Sequence, residues 1–252
     1  MNKQKRWSAI VDACKTRESV SVDELVELLA VSPATVRRDL QEMEDLNVIS
    51  RFHGGARISV SQIDEPAMVI KSDTNIAAKR KIALMASRLV KSNQMIYIDA
   101  GSTTYEMIQY LNAKNITVVT PGVPHLSVLG ERNIPTVVLG GTLRWSTEAI
   151  TGKQAIKQLE SMYFDLAFVG TNGIHEQIGF TTSNEMEAET KSTAIHRAKK
   201  SYILTDSSKF NVLSPVRFAG LDEAIILTDS IPEFNTSKIR YQTISGDRNY
   251  TD

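Results

Sequence analysis

Over the first 57 residues the apolar positions recur at helical spacing and then switch to alternation. Residues 3–16 place Ile10, Val11 and Cys14 on one side of a helix that starts with Lys3, Lys5 and Arg6. Ser21-Val22-Asp23-Glu24 has the form of a capping box, and the helix it opens carries Leu25, Val26, Leu28 and Leu29 before stopping near Ala30-Val31. Ser32-Pro33 restarts a helix, since Ser suits the N-cap and Pro the first helical position. Val36, Leu40 and Met43 form the inner stripe of this third helix, and Asn47 suits a left-handed stop. Residues 48–57, VISRFHGGAR, then alternate around a double glycine, which predicts a short two-stranded wing. Two helices joined by a very short turn and followed by a wing are the pattern of a winged helix-turn-helix, here 1–57.

Residues 58–74 are polar and mixed, contain Pro66, and read as a linker. From 75 to 252 the pattern changes. A helix over 75–92 carries Ile82, Met85, Ala86, Leu89 and Val90 on one stripe. Short apolar runs suit buried strands at 95–99, 116–120, 135–139, 165–169, 201–205, 223–228 and 239–244, with helices at 103–113, 123–131, 153–162 and 184–199. Strands alternating with helices predict an α/β, mainly parallel, doubly wound sheet. The fold class is therefore α/β with an N-terminal winged helix-turn-helix and a Rossmann-like second domain.

A chain of 252 residues with 42% hydrophobic and 23% charged residues excludes disorder and disulfide scaffolds, and length predicts one or two domains. One cysteine forms no intrachain disulfide. The start lacks the apolar run of a signal peptide, and no run approaches the roughly 18 apolar residues of a membrane span, so a cytoplasmic protein with no membrane partner is expected. Twenty-nine basic residues balance 29 acidic ones, so any nucleic-acid surface must be made by placement. Residues 1–57 are neutral too, with nine of each sign, but segregated. Most acids sit in helix 2 and late in helix 3, while Arg37, Arg38, Arg51 and Arg57 lie at the start of helix 3 and in the wing.

On helix 3, Ala34, Arg38, Gln41 and Asp45 face away from the apolar stripe, with Thr35 and Arg37 on the flanks. Such a first turn suits the major groove, where Arg reads guanine and Ser, Thr or the helix start holds phosphate. The candidate DNA-binding set is Ser32, Ala34, Thr35, Arg37, Arg38, Gln41, Arg51 and His53. The alternative makes Arg37 and Arg38, with Asp39 and Glu42, a solvated face of i,i+4 pairs.

In the second domain, Asp99-Ala100-Gly101-Ser102-Thr103-Thr104 follows a strand and opens a helix. Its N–H groups and hydroxyls suit an anion such as phosphate, or the hydroxyls merely cap the helix. Thr120-Pro121-Gly122, Gly140-Gly141, Gly170-Thr171-Asn172-Gly173 and Asp206-Ser207-Ser208-Lys209 also follow predicted strands. Ligands of open α/β sheets bind beyond the carboxyl ends of the strands, so these turns suit one site for phosphate and hydroxyl groups.

The run VSPATVRRDLQEMEDLNVISRFHGGA resembles the helix-turn-helix and wing of the DeoR family of bacterial transcriptional regulators, with TVRRDL and HGGA as its most specific parts. The resemblance continues through IDAGSTT, VLGGTLR, DLAFVGTNGI, GFTTSNEMEAETK and LTDSSKF. It implies a sensor domain similar to phosphosugar isomerases of the ribose-5-phosphate isomerase type, and a phosphorylated sugar as effector. The effector-binding set drawn from these turns and blocks is Asp99, Gly101, Ser102, Thr103, Thr104, Gly140, Gly141, Gly170, Asn172, Gly173, Lys191, Asp206 and Lys209. One departure stands out: the family commonly shows Thr-Asn-Ser where this chain has Thr-Pro-Gly at 120–122.

The competing class is an enzyme, with Glu185, Glu187, Lys191, Asp206 and Lys209 supplying acid–base chemistry on an enediol. The plainer reading places the first three on the solvated face of helix 184–199, with Glu187 and Lys191 an i,i+4 pair. A simple isomerase has no use for a DNA-binding domain, so no catalytic residue is assigned. Four histidines lack metal spacing, and neither metal nor cofactor is expected. Cys14 and Trp7 read as core; Trp145 suits either a ligand edge or core. The expectation is a regulator, with operator DNA, a sugar phosphate and further copies of itself as partners. Helix-turn-helix modules usually act in pairs, and with no heptad seam visible, self-association falls to the sensor domain.

Overall fold

The computed structural model describes residues 3–17, 19–45, 48–52, 54–58 and 74–250. The chain divides into two units, Met1–Thr74 and Asn75–Asp252. The linker reading of 58–74 falls almost wholly outside the described residues, as does Asn47.

The first unit contains α1 (Lys3–Arg17), β1 (Ser19–Ser21), α2 (Val22–Leu29), α3 (Pro33–Asp45), β2 (Ile49–Phe52) and β3 (Gly55–Ile58). The capping box forms as read: the Ser21 hydroxyl accepts from Glu24 N at 3.2 Å, and the Glu24 carboxylate accepts from Ser21 N at 2.8 Å. Ala30 ends α2 with φ 51°, and Ser32 Oγ accepts from Thr35 N at 3.2 Å to start α3. The inner stripes meet as one core of Trp7, Ile10, Val11, Cys14, Leu25, Leu29, Val36, Leu40 and Met43. Burial raises the Cys14 thiol pKa, as suits an inert core cysteine. The wing gains a third strand that the pattern hid, because β1 is only three residues long; it pairs with β3 in the order β1-β3-β2.

The second unit is built on a parallel sheet of seven strands. Its elements begin with α4 (Ile76–Ser87), β4 (Met95–Ile98), α5 (Ser102–Ile108), β5 (Thr117–Thr120), α6 (His125–Glu131) and β6 (Thr136–Val138). A hairpin of β7 (Thr142–Arg144) and β8 (Ala149–Thr151) leads to α7 (Lys153–Glu160), β9 (Phe164–Gly170), β10 (Gly173–His175) and β11 (Gly179–Thr182). The rest is α8 (Glu185–His196), β12 (Ala198–Leu204), β13 (Val216–Ala219), β14 (Ile225–Thr228) and β15 (Arg240–Thr243). All seven strands expected from the pattern join the main sheet, in the order β15-β14-β12-β9-β4-β5-β6. Apolar layers cover both faces: one contains Tyr97, Val119, Val169, Ile203 and Ile226, the other Ile96, Ile98, Val118, Phe168 and Leu227. The β7-β8 hairpin and the antiparallel β10-β11-β13 sheet are additions that the sequence pattern did not reveal. Their strands are three or four residues long, too short for a period to register.

Because β4, β5, β6, β9, β12 and β14 run parallel, the turns after them lie along one edge. That edge is where the side chains of the effector-binding set were expected to converge.

Candidate functional site

The exposed face of α3 is what the stripe predicted. Val36, Asp39, Leu40 and Met43 are buried, while Ala34, Arg37, Arg38, Gln41 and Asp45 are exposed. The acids of this helix are taken by partners other than its arginines. Asp39, 0% exposed, receives a two-pronged bond from Arg6, at 2.6 Å from Nε and 3.0 Å from the other guanidinium nitrogen. Asp39 raises the Arg6 pKa by the same hydrogen bonds. Glu42 pairs with Lys3, and Asp45 accepts from Gln41 at 2.9 Å. The reading of Arg37, Arg38, Asp39 and Glu42 as a mutually paired solvated face is therefore corrected: among the described residues, neither arginine meets an acid. Four side chains of the DNA-binding set are already engaged: Arg51 with Gln41, and Ser32 with Thr35. Arg51 bonds to Gln41 and stands 3.8 Å from Glu44, which also accepts from Arg51 N at 2.9 Å. This joins the wing to α3. The hydroxyls of Ser32 and Thr35 lie 2.9 Å apart at the helix start. His53 lies outside the described residues.

At the carboxyl edge of the parallel sheet, Asp99 is the hub. It is 4% exposed, accepts from Gly170 N at 3.0 Å and from the Tyr97 hydroxyl at 3.4 Å, and forms a buried ion pair with Lys191. Burial, reinforced by Asp99, pushes the Tyr97 phenol pKa well above its ordinary value, so it stays a donor. One turn before Lys191 on α8, Glu187 accepts from the Thr147 hydroxyl at 2.6 Å and stands 3.4 Å from Arg144 Nε of the hairpin. Glu187 and Lys191 are each 7% exposed, so the solvated-face reading is corrected for both; only Glu185 is exposed. The physical reason is that Glu187 and Lys191 lie on the side of α8 that packs against the main sheet and β11-β13, while Glu185, Glu189 and His196 form its solvent face. Arg144, Thr147 and Tyr97 were missed, and Glu187 was read only as an acid–base candidate or a solvated partner of Lys191, because each needs a long-range neighbour to acquire its role.

Other members of the effector-binding set divide by what holds them. The Thr104 hydroxyl is turned back onto its own loop, within 2.5 Å of the Asp99 carbonyl and 3.0 Å of Gly101 N, so for Thr104 the capping alternative is the observed one. Ser102 and Thr103 occupy the first helical positions of α5, whose opening N–H groups have no intrahelical acceptor. Asp206 caps its own turn by accepting from Ser208 N at 3.1 Å and also accepts from Asn75 at 3.0 Å, while Lys209 is half-buried in that turn. Gly140 N donates to Gln158 at 2.8 Å; a Cβ on Gly141 would meet the Thr151 carbonyl at 2.4 Å, and one on Gly173 the Val212 carbonyl at 2.3 Å. These two glycines permit close backbone approach and line up no ligand group of their own. Asn172 lies 3.4 Å from the Thr182 hydroxyl. Trp145 is 76% exposed, which removes the core alternative for it.

Two family models match the chain: a DeoR-like helix-turn-helix domain over residues 6–62 and a DeoR C-terminal sensor domain over residues 74–230. The chain belongs to the DeoR family. It is 38% identical to an HTH-type transcriptional regulator of Bacillus subtilis, FruR, over 95% of this chain and 96% of the relative. It is 36% identical to the HTH-type transcriptional regulator GlpR of Haloferax volcanii, over 89% of each chain. With the lactose phosphotransferase system repressor of Staphylococcus epidermidis it shares 34% identity over 91% of this chain and 93% of that one. Among solved structures, ribose 5-phosphate isomerase A of Methanocaldococcus jannaschii superposes with a TM-score of 0.40 at 19% identity, covering 54% of this chain and 55% of that one.

In this DeoR-family chain Gly122 packs against a buried histidine. A Cβ on Gly122 would stand 2.7 Å from Nδ1 of His125, whose imidazole is 0% exposed. The ring fills the space a side chain at 122 would need. Burial lowers the His125 pKa from 6.5 to about 4, so the ring is neutral near pH 7.

Proposed function

We propose that this chain is a repressor of a carbohydrate-utilisation operon whose operator binding is controlled by a phosphorylated sugar. The observation that carries the DNA-binding half is the charge arrangement of α3. Its acids are tied to Arg6, Lys3 and Gln41, while Arg37 and Arg38 stand exposed with no acid partner among the described residues. Beside Ala34 and Thr35, those arginines suit base edges and phosphates of a major groove, and Arg51 acts by holding the wing to the helix. The relatives named as repressors, of the lactose phosphotransferase system and, putatively, of an aga operon, support the sign and the class of operon.

For the effector half, the phosphate sits at Gly101, Ser102 and Thr103, where first-turn amides favour an anion. Lys191, at present held by Asp99, is the buried cation next to it. An arriving oxygen takes over part of the Lys191 ammonium, and Asp99 is then released toward a sugar hydroxyl. Lys209 adds a cationic contact from the turn after β12. The effector favours one arrangement of the DNA-binding units over another; without differential affinity it would shift nothing. Function in pairs on operator half-sites requires self-association, assigned here to the sensor unit.

The test uses purified protein and DNA upstream of its own operon. Sugar phosphates are screened by thermal shift, where a ligand at 100 times its Kd stabilises by about 2.7 kcal/mol. Hits should release the DNA in a gel-shift assay, and the unphosphorylated sugar should not. Equal release by both would remove the phosphate from the reading.

A further inference from the structure

Arg144, on β7, reaches into the buried polar cluster at the carboxyl edge without completing a bond there. Its Nε is buried and has no hydrogen-bond partner, although a Glu187 oxygen stands 3.4 Å away; that approach is not aligned as a hydrogen bond. The rest of the guanidinium is not sealed in, since the side chain is 30% exposed. Other covered arginines spend this donor: Arg6 Nε is 2.6 Å from Asp39, and Arg197 Nε is 3.1 Å from the Met162 carbonyl. The hairpin holds Arg144 over the edge from two sides. Ile150 N donates to the Pro121 carbonyl at 2.8 Å and Val123 N to the Glu148 carbonyl at 3.0 Å, which fixes the hairpin to the turn after β5. On the other side the Thr147 hydroxyl donates to Glu187 of α8, a helix packed on β9. Since β4 lies between β5 and β9, the stretch 144–149 crosses the end of β4, where Asp99 sits. Glu187 and Lys191 lie one turn apart on the buried side of α8, and Lys191 pairs with Asp99. Thr147 already ties the hairpin to Glu187, so Arg144 is not needed as a fastening.

We propose that Arg144 and Glu187 are specificity-determining residues of the effector site, reading hydroxyl groups at the end of the sugar away from its phosphate. This rests on the reading that the phosphate seats at Gly101, Ser102 and Thr103. A hydroxyl both donates and accepts, so one hydroxyl gives its hydrogen to Glu187 and takes one from Arg144. It thereby supplies the acceptor that the guanidinium lacks, which an apolar or purely anionic group would not do for both partners. Charge sets the second half of the specificity. Asp99 and Glu187 place two carboxylates at this end, while the two cations are already committed, Lys191 to Asp99 and Arg144 toward Glu187. A second phosphate arriving here meets like charge with no free cation to offset it. The site therefore takes a sugar monophosphate and rejects a bisphosphate.

The test is calorimetric titration of the full chain with inorganic phosphate, glucose 6-phosphate, fructose 6-phosphate and fructose 1,6-bisphosphate. Thr103→Ala is the control for binding at the loop. In the wild type a monophosphate should bind in a Thr103-dependent way more tightly than inorganic phosphate, and the bisphosphate at least tenfold more weakly than that monophosphate. Arg144→Met should weaken the monophosphate about tenfold, as for loss of one hydrogen bond, and leave inorganic phosphate unchanged. A merely structural role would lower both together. Glu187→Gln keeps an oxygen for Thr147 but removes a charge, so it should raise the affinity for the bisphosphate relative to the monophosphate. Such a gain is a result that misfolding does not imitate. Equal losses for phosphate and monophosphate in Arg144→Met, or no loss, overturn the proposal and leave the effector reading standing. So do bisphosphate binding in the wild type as tight as that of the monophosphate, and an unchanged preference in Glu187→Gln. If none of the four anions binds in a way that Thr103→Ala alters, the effector reading fails and this inference with it.

Discussion

The two units handle charge in opposite ways. In the first, the acids of α3 are drawn to partners so that, among the described residues, Arg37 and Arg38 face water with no acid beside them. In the second, opposite charges are gathered under cover: Asp99 with Lys191, and Glu187 with Arg144 and Thr147. The difference follows from the ligand. A polyanion is met from outside and exchanges counterions with exposed cations, so the surface must be left uncompensated. A lone buried cation waiting for a small anion would be costly, and Asp99 compensates Lys191; in the proposed reading a ligand oxygen takes over that part.

The largest expected effect comes from breaking a buried pair in either unit. Asp39→Ala strands Arg6 and should destabilise the first unit by about 3–5 kcal/mol, with operator binding lost through unfolding. Lys191→Met strands Asp99 and should lower the melting temperature of the second unit comparably, leaving α3 folded by circular dichroism at moderate temperature. If both variants melt like wild type, the contrast between buried and exposed charge is mistaken.

Next is pH, which should separate the units. His125 is neutral when folded and titrates near 6.5 when unfolded. Between about pH 6.5 and 4 the unfolded chain binds a proton that the folded one refuses, so stability falls as pH drops. The slope from this residue approaches about 1.4 kcal/mol per pH unit. Denaturant titrations at pH 7 and 5 should show His125→Phe less acid-sensitive than wild type; an unchanged pH dependence would contradict the burial.

Arg38→Ala should weaken specific operator binding by about 1–3 kcal/mol if the side chain reads a base in two prongs, with no change in thermal stability. The smallest effect is that of Arg51→Ala. Because Gln41 and Glu44 already hold this guanidinium, operator affinity should fall by less than about 1 kcal/mol, with little change in the salt slope. A full unit of salt slope lost would show that Arg51 reaches a phosphate after all.

Much of this was readable in advance. The Ser21 and Ser32 caps, the Val36-Leu40-Met43 stripe and the seven parallel strands rest on interactions between near neighbours in sequence, or on a period long enough to register. The turns Asp99–Thr104, Gly170–Gly173 and Asp206–Lys209 could be assigned to one edge because parallel topology puts every carboxyl end on the same side. Misreadings occurred where spacing along a helix stood in for three-dimensional surroundings. Asp39 looked like a surface partner for nearby arginines, and Glu187 with Lys191 looked like a solvated i,i+4 pair.

What the sequence determined by itself, then, is the order and type of the main helices and parallel strands, the division near residue 74 and a set of candidates for meeting DNA or an anion. Only the tertiary structure decided which of those charges stay free. Arg6 and Asp39 are 33 residues apart, Asp99 and Lys191 92, and Thr147 and Glu187 40. Pairing at such separations is set by how helices and sheet pack, and the burial that packing imposes turns a polar residue into a cap, a partner or a buried neutral ring such as His125.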